Sequence, residues 1–407
     1  MATEDARYRQ SSQYELWSFS PSQLAAMRET TNTAARSRIS QRLATLPAPP
    51  SSTSAPTSNA NTPDPEGTST PVLPEFLTPG EEAQLLTFYT AELLRAGEFG
   101  NMSDEIKATA AVFFRRFYVT NSVMTYPAPE MLVTALFFAA KAEGSFMSVG
   151  EFAKIFGKER PDEILAGEFL LCQGMRFAID VKHPFRALRG AVMELSTLPG
   201  IEHLRLAAAE VRAREILRFS PLITDAYFHY TPSQIMLSAL SLADRGLAER
   251  LITETFHYVA PTTSGADTPA SDGPGNNRRP APRSGGITVE DKAQIIGSHI
   301  RDKVLGTIEA CRDMLAKELP ERREHWKNRA VIKAQINPLN KKLNKCRDPE
   351  RWNLVELQRV RREQASKKDG SEDGDAEDRG ESDGAVFGDA VPKRKKVKVE
   401  DPFGGVL

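Results

Sequence analysis

The chain has 407 residues, of which 40% are hydrophobic, and its 53 basic and 54 acidic side chains leave a net charge of −1. That length allows two or three domains. The charge balance speaks against a polyanion binder over the whole chain, and no run reaches the roughly 18–20 apolar residues of a membrane span. Cys172, Cys311 and Cys346 form no C-x-x-C pair, which argues against a disulfide framework or a Cys-rich zinc site and suits a reducing intracellular compartment. The polar start MATEDARYRQSSQ lacks the apolar run of a signal peptide. Charge is biased locally: residues 81–260 carry 18 Lys+Arg against 22 Asp+Glu, a net of −4, and residues 321–364 carry 13 against 6, a net of +7.

In chain order, an N-terminal helical arm (1–46) contains SFSPSQLAAMRE, where Ser20 caps a helix whose first turn holds Pro21. A linker (47–71) has almost no bulky apolar side chain and reads as disordered. The first domain (72–181) opens with TPGEEAQLLTFYTAELLRAG, with Thr78 at its start and acidic residues in its first turn. SDEIKATAAVFFRRFYVTN follows from a Ser103 cap, with Ile106, Ala110, Phe113, Phe114 and Phe117 at helical spacing. APEMLVTALFFAAKAEG is apolar nearly all round and reads as a domain's central helix. SVGEFAKIFG is a short helix, and RPDEILAGEFLLCQGMRFAI a longer one.

The second domain (182–319) repeats that helix order. Its helices are HPFRALRGAVMEL, IEHLRLAAAEVRAREILRFS, TPSQIMLSALSLADRG, LAERLITETFHYV and a fifth from about Val289 to Leu319, with a disordered insertion at 261–286 before the last. Basic helices (320–364) come next; basic residues interleaved with aromatics such as Trp326 and Trp352 suit nucleic-acid contact, and the favoured expectation is packing on the second domain with a solvated basic face. A disordered acidic tail (365–407) ends the chain and carries PKRKKVKVE. The fold class is all-α, two tandem helical domains with flanking helices.

RRFYVTNSVMTYPAPEMLVTALFFAAKAEG (115–144) followed by ILAGEFLLCQGMRFAI (164–179) resembles the cyclin box. FYVTNSVM, TDAYFHYTPSQIMLSAL (224–240) and the N-terminal SSQYELWSFSPSQLAAMR resemble the cyclin H branch of that family, and the likeness runs from about Ser11 to Leu319 with interruptions. The first helix of the box, EEAQLLTFYTAELL, has no M-R-x-I-L-type substrate patch, and the first 80 residues have no R-x-x-L degradation box, which suits a transcription-type cyclin over a mitotic one.

The resemblance implies a non-catalytic activator that presses an apolar face of its first domain against the mobile αC helix of a kinase. That helix's glutamate can then pair with the kinase's β3 lysine. It implies Lys141 and Glu168 as the charged pair at that face, with Phe138, Phe169, Cys172, Phe177 and Ile179 as the apolar surface around them. Without the resemblance, Lys141 is a cation favoured at a helix C-terminus, Glu168 a solvated charge, and the phenylalanines core residues. The implied partners are a kinase of the CDK-activating type, a RING-finger assembly factor and the TFIIH core. The implied activity supports phosphorylation of kinase activation loops and of the RNA polymerase II C-terminal repeats.

Lys393, Arg394, Lys395, Lys396 and Lys398 form a basic cluster of the nuclear-import kind, so a nuclear location is expected. Ser371 and Ser382, each followed by acidic residues, are candidate phosphorylation sites. No P-loop, G-x-G-x-x-G, H-E-x-x-H or G-x-S-x-G occurs, and the six histidines have no ligand spacing, so no catalytic residue, cofactor or metal site is expected. A Mediator-type transcription cyclin is the near alternative. A TFIIB-like DNA-binding protein with paired cyclin folds is the more distant one, disfavoured by the net acidic domains and the missing zinc ribbon. Direct binding of nucleic acid or membrane is not expected.

Overall fold

Helix starts are written into this chain as capping residues, and the structure uses them. The computed structural model describes residues 4–45, 73–157, 161–255 and 289–369, and every element in it is helical. The linker 47–71, the insertion 261–286 and the basic cluster Lys393–Lys398 lie outside the described residues.

The arm forms α1 (Glu4–Arg9), α2 (Ser12–Trp17) and α3 (Pro21–Thr45). At the start of α3 the Gln23 N–H donates to Ser20 Oγ and the Ser20 N–H donates back to Gln23 Oε1, a reciprocal box that satisfies two otherwise orphaned donors.

The first repeat contains α4 (Pro79–Phe99), α5 (Asp104–Thr120), α6 (Ala128–Ala142), α7 (Val149–Ile155), α8 (Pro161–Ala166) and α9 (Glu168–Gly174). Thr78 and Glu81 box the start of α4, and Ser103 accepts from the Ile106 N–H at α5. The stripe Ile106, Ala110, Phe113, Phe114 and Phe117 is buried as its spacing requires, each phenylalanine contributing about 2 kcal/mol of apolar burial. α6 packs against α4, α5, α8 and α9, which is why its sequence is apolar nearly all round.

The segment expected as one long helix over RPDEILAGEFLLCQGMRFAI is broken at Gly167 into α8 and α9. The chain there passes so close to α6 that a Cβ on Gly167 would sit 2.8 Å from Thr134 Oγ1.

The second repeat holds α10 (Pro184–Thr197), α11 (His203–Leu217), the single turns α12 (Ser220–Ile223) and α13 (Ala226–His229), then α14 (Pro232–Ala243), α15 (Arg245–Thr255) and α16 (Val289–Ala316). Here α14 takes the place of α6, packing against α10, α11, α15 and α16. After a 3-10 turn (Pro320–Arg322) come α17 (Arg323–Lys327), α18 (Arg329–Val331), a π turn (Ile332–Ile336) and α19 (Asn337–Cys346).

These basic helices were expected on the second domain, but their anchors lie mainly on the first repeat and the arm. Lys342 pairs with Glu75 and Glu81, Tyr89 donates to Asn340, and Arg42 pairs with the fully buried Asp348. The physical reason is that the acidic start of α4 and its approach supply the carboxylates these cations need.

Contacts divide the chain at Trp352. Beyond it, α20 (Leu354–Asp369) is a unit of its own, continuing past Gln364 and laced by Arg359 with Glu356 and Glu363.

The arm is part of the core rather than an appendage. Trp17 is fully buried in a cluster with Leu24, Val119, Ala178 and Phe228, which draws on the arm and both repeats. The Arg116 and Arg176 guanidiniums lie 5.4 and 5.6 Å from its ring centroid. Burial lowers the Arg116 pKa to about 10 against the raising effect of Tyr8, Tyr227 and Asp180, which leaves it cationic at neutral pH. Further along, Asn32 donates to the Leu77 carbonyl, and Asp225 accepts from both Arg28 and Arg115.

Candidate functional site

Lys141 ends α6 and Glu168 begins α9, and their sequence separation says nothing of where they meet. The structure joins them: Lys141 Nζ lies 2.5 Å from Glu168 Oε1. The same ammonium sits 4.8 Å from the ring centroid of Phe137 and 5.4 Å from that of Phe138. The register depends on two glycines. Gly167 lets α9 start against α6, and at the other end a Cβ on Gly174 would fall 2.4 Å from the Phe117 ring.

The remaining residues follow from α9. Glu168 and Cys172 are one turn apart, and the Cys172 thiol is pushed up to about 11, first by burial and then by the Glu168 charge, so it stays a protonated thiol. The Phe177 N–H donates to the Cys172 carbonyl, and the Ile179 N–H to that of Phe177. Arg176 and Phe177 both take left-handed backbone, at φ of 54° and 55°. For non-glycine residues this costs on the order of 1 kcal/mol or more each and persists where surrounding contacts impose it. The constraint visible here is Arg176 against Trp17; the result is that Phe177 turns outward.

Phe177 is 59% exposed, Ile179 46% and Phe169 39%, far above the core phenylalanines. Phe138 and Cys172 are half-buried, Phe138 with its ring 5.7 Å from that of Phe113. Leu165, Phe146 and Met147, which sequence reasoning did not single out, are also exposed next to these elements. Helical periodicity cannot find them, because Phe146 and Met147 sit in the turn after α6 and Leu165 beside the break at Gly167.

A polar chain, buried at Thr109 and Tyr227 and exposed at Glu143, braces the end of α6 from the second repeat. Tyr227 donates to His183 Nδ1 (2.8 Å), His183 Nε2 donates to Thr109 Oγ1 (2.7 Å), and Thr109 donates to Glu143 Oε1 (2.5 Å), two residues beyond Lys141. This order follows from Glu143, which can only accept as a carboxylate. Burial, and secondarily the Arg116 charge, hold the His183 pKa down at about 3, so the imidazole is neutral.

Among the described residues no group of three His, Cys, Asp or Glu side chains could hold a metal ion. No helix among them is long and apolar enough to cross a membrane. The arrangement offers an ion pair of moderate exposure beside an apolar face, which is the chemistry of a protein interface.

Comparison with known proteins identifies what this chain is similar to. A family model for the cyclin C-terminal domain matches residues 183–316, the span of the second repeat. Cyclin CCL1 of Saccharomyces cerevisiae is 31% identical over 255 residues, 62% of this chain and 62% of that protein. Cyclin mcs2 of Schizosaccharomyces pombe is 34% identical over 170 residues, 42% of this chain and 52% of that protein. The matches thus span between half and two thirds of these relatives' own length. A chain in the solved CAK complex of Chaetomium thermophilum bound to ATP-gamma-S is 64% identical, with a TM-score of 0.73, covering 93% of this chain and 100% of that one. A chain of the yeast TFIIK (Kin28/Ccl1/Tfb3) complex, 23% identical with a TM-score of 0.52 over 76% of this chain and 100% of its own, shares the fold.

Proposed function

This chain belongs to the cyclin H family, and from that premise we propose that it is the regulatory, non-catalytic subunit that binds and switches on a cyclin-dependent kinase of the CDK-activating type. The observation that carries the reading is the exposed apolar set Phe169, Phe177 and Ile179 beside the Lys141–Glu168 pair. Such a face can press on the mobile helix of a kinase and hold it where its glutamate reaches the β3 lysine. Lys141 and Glu168 then bond kinase backbone at the rim, while Phe138 and Cys172 back the apolar contact. The 64% identity to a chain of a CAK complex supports this branch over a Mediator-type cyclin.

The same reading gives the chain a RING-finger assembly factor and the TFIIH core as further partners, a nuclear location, and the polymerase C-terminal repeats and kinase activation loops as its kinase's substrates. The test is capture of purified cyclin-dependent kinases by the full chain, wild type against Phe177→Ala/Ile179→Ala. Selective capture of the CDK-activating kinase, weakened by the substitutions, is the expected result. Failure to capture any kinase would contradict the proposal.

A further inference from the structure

From His325 to Arg347 the chain carries seven Lys and Arg residues and not one Asp or Glu. Lys327 pairs with Glu324 and Arg347 lies over the Trp352 ring, and the structure sorts the other five into two sets. Lys342 points inward to Glu75 and Glu81 and fastens α19 to the start of α4. Arg329, Lys333, Lys341 and Lys345 are all exposed, and none of them reaches a carboxylate among the described residues. Other exposed cations are paired within the protein, as Arg205, Arg212, Arg218, Arg245 and Arg323 are, while Arg186 and Arg189 meet no carboxylate among the described residues. What marks the four is that they lie together on one helical segment that holds no acidic residue.

The four free cations fall at every fourth position, with Asn337 filling the gap at the middle of the series. In an unbroken α-helix a four-residue step drifts about 40° around the axis. The π turn at Ile332–Ile336 lies inside the series, and its wider winding offsets part of that drift, so the charges keep to one side. The opposite side holds the buried Ile336, Leu339, Leu343 and Cys346. The outcome is a ridge with a greasy underside and a crest of positive charge, interspersed with the exposed amides of Gln335, Asn337 and Asn344.

We propose that this ridge, Arg329–Lys333–Lys341–Lys345, binds the phosphodiester backbone of nucleic acid without reading its sequence. Four positive charges spaced along one ridge match a repeating array of phosphates, and neutralising those phosphates drives binding that does not depend on sequence. The neighbouring amides are the other side chains that commonly donate to phosphate oxygens. The ridge runs against the expectation, drawn from the net charge of the paired domains, that the chain does not touch nucleic acid. That expectation rested on the acidic body at 81–260 and left out the basic helices that follow it.

The test is fluorescence anisotropy of a labelled 20-base-pair duplex DNA titrated with the full chain at several salt concentrations. The variants are Lys333→Glu/Lys341→Glu/Lys345→Glu on the ridge and, separately, Lys393→Glu/Lys395→Glu/Lys396→Glu in the C-terminal cluster. Wild type binds, and the ridge variant binds at least tenfold more weakly at low salt. Its log–log salt slope is shallower by about 2.7, at about 0.9 for each phosphate no longer neutralised. Circular dichroism monitors folding; should the charge reversal disturb it, the Lys→Gln triple reports the same change of slope. Equal binding by the ridge variant overturns the proposal, as does binding lost only in the C-terminal variant or absent in wild type at low salt. Stronger binding of polyglutamate than of duplex at equal charge assigns the ridge to an acidic polypeptide and overturns it as well.

Discussion

Lys141 and Glu168 meet at 2.5 Å although neither is deeply buried, with side-chain exposures of 35% and 19%. A pair placed so adds only about 0–1 kcal/mol to folding. Replacing both residues with alanine should therefore leave the thermal midpoint within a few degrees of wild type. A scanning calorimetry or fluorescence melt checks this, and a large drop would mean the pair is structural.

Trp17 should behave in the opposite way. It is fully buried, stacked by two guanidiniums, and shared by the arm and both repeats. Trp17→Ala should cost about 3–5 kcal/mol in urea unfolding, the range for emptying a large aromatic site. It also removes the ring that Arg176 packs on, so kinase affinity should fall along with stability. A stability loss below about 1 kcal/mol would show that the arm is not part of the core.

Asp225 accepts from Arg28 at 2.9 and 2.7 Å and from Arg115 at 2.5 Å. Although burial pushes its carboxyl upward, the two guanidiniums win and hold it well below the usual carboxylate range. Asp225→Asn leaves Arg115 buried without its counter-charge, and the expected loss is about 3–5 kcal/mol. Unfolding at pH 7 measures it, and Arg28→Ala should cost less, because Arg115 then keeps its carboxylate.

The pH dependence has two opposed contributors. Burial raises the Glu82 pKa from 4.5 to about 7, against the lowering by hydrogen bonds from Ser122 and Asn32. Its folded form binds the proton more tightly, so its contribution to stability is full below about pH 4.5 and is lost as pH rises through 7. His183, held down at about 3, contributes stability present above pH 6.5 and lost as pH falls toward 3. The two slopes oppose between about pH 4.5 and 6.5 and separate above that window. Glu82→Gln should gain on wild type by about 2–3 kcal/mol between pH 5 and pH 8. A difference that stays constant over that range would mean Glu82 is ionised throughout.

Much of the helical plan is legible in the residues. Ser20, Thr78 and Ser103 mark helix starts by their hydroxyls, and the spacing of Phe113, Phe114 and Phe117 marks a buried face. The break at Gly167 is not legible, because it depends on how near Thr134 comes from a different helix. The Arg28–Asp225 pairing and the burial of Trp17 join parts of the chain about 200 residues apart, which no local pattern encodes. At the candidate site, Lys141 and Glu168 came from the family resemblance and not from their spacing. The outward turn of Phe177 comes from left-handed backbone at two non-glycine residues, which has no sequence signature.

The most direct test of the account is kinase activation. The CDK-activating kinase would be titrated with wild-type chain and with Lys141→Ala/Glu168→Ala, and phosphorylation of a polymerase C-terminal-repeat peptide followed. The account predicts that wild type activates the kinase and that the double variant, folded and equally heat-stable, needs at least tenfold more protein for the same activity. Equal activation by the two proteins would contradict the assignment of the Lys141–Glu168 face as the kinase-binding surface.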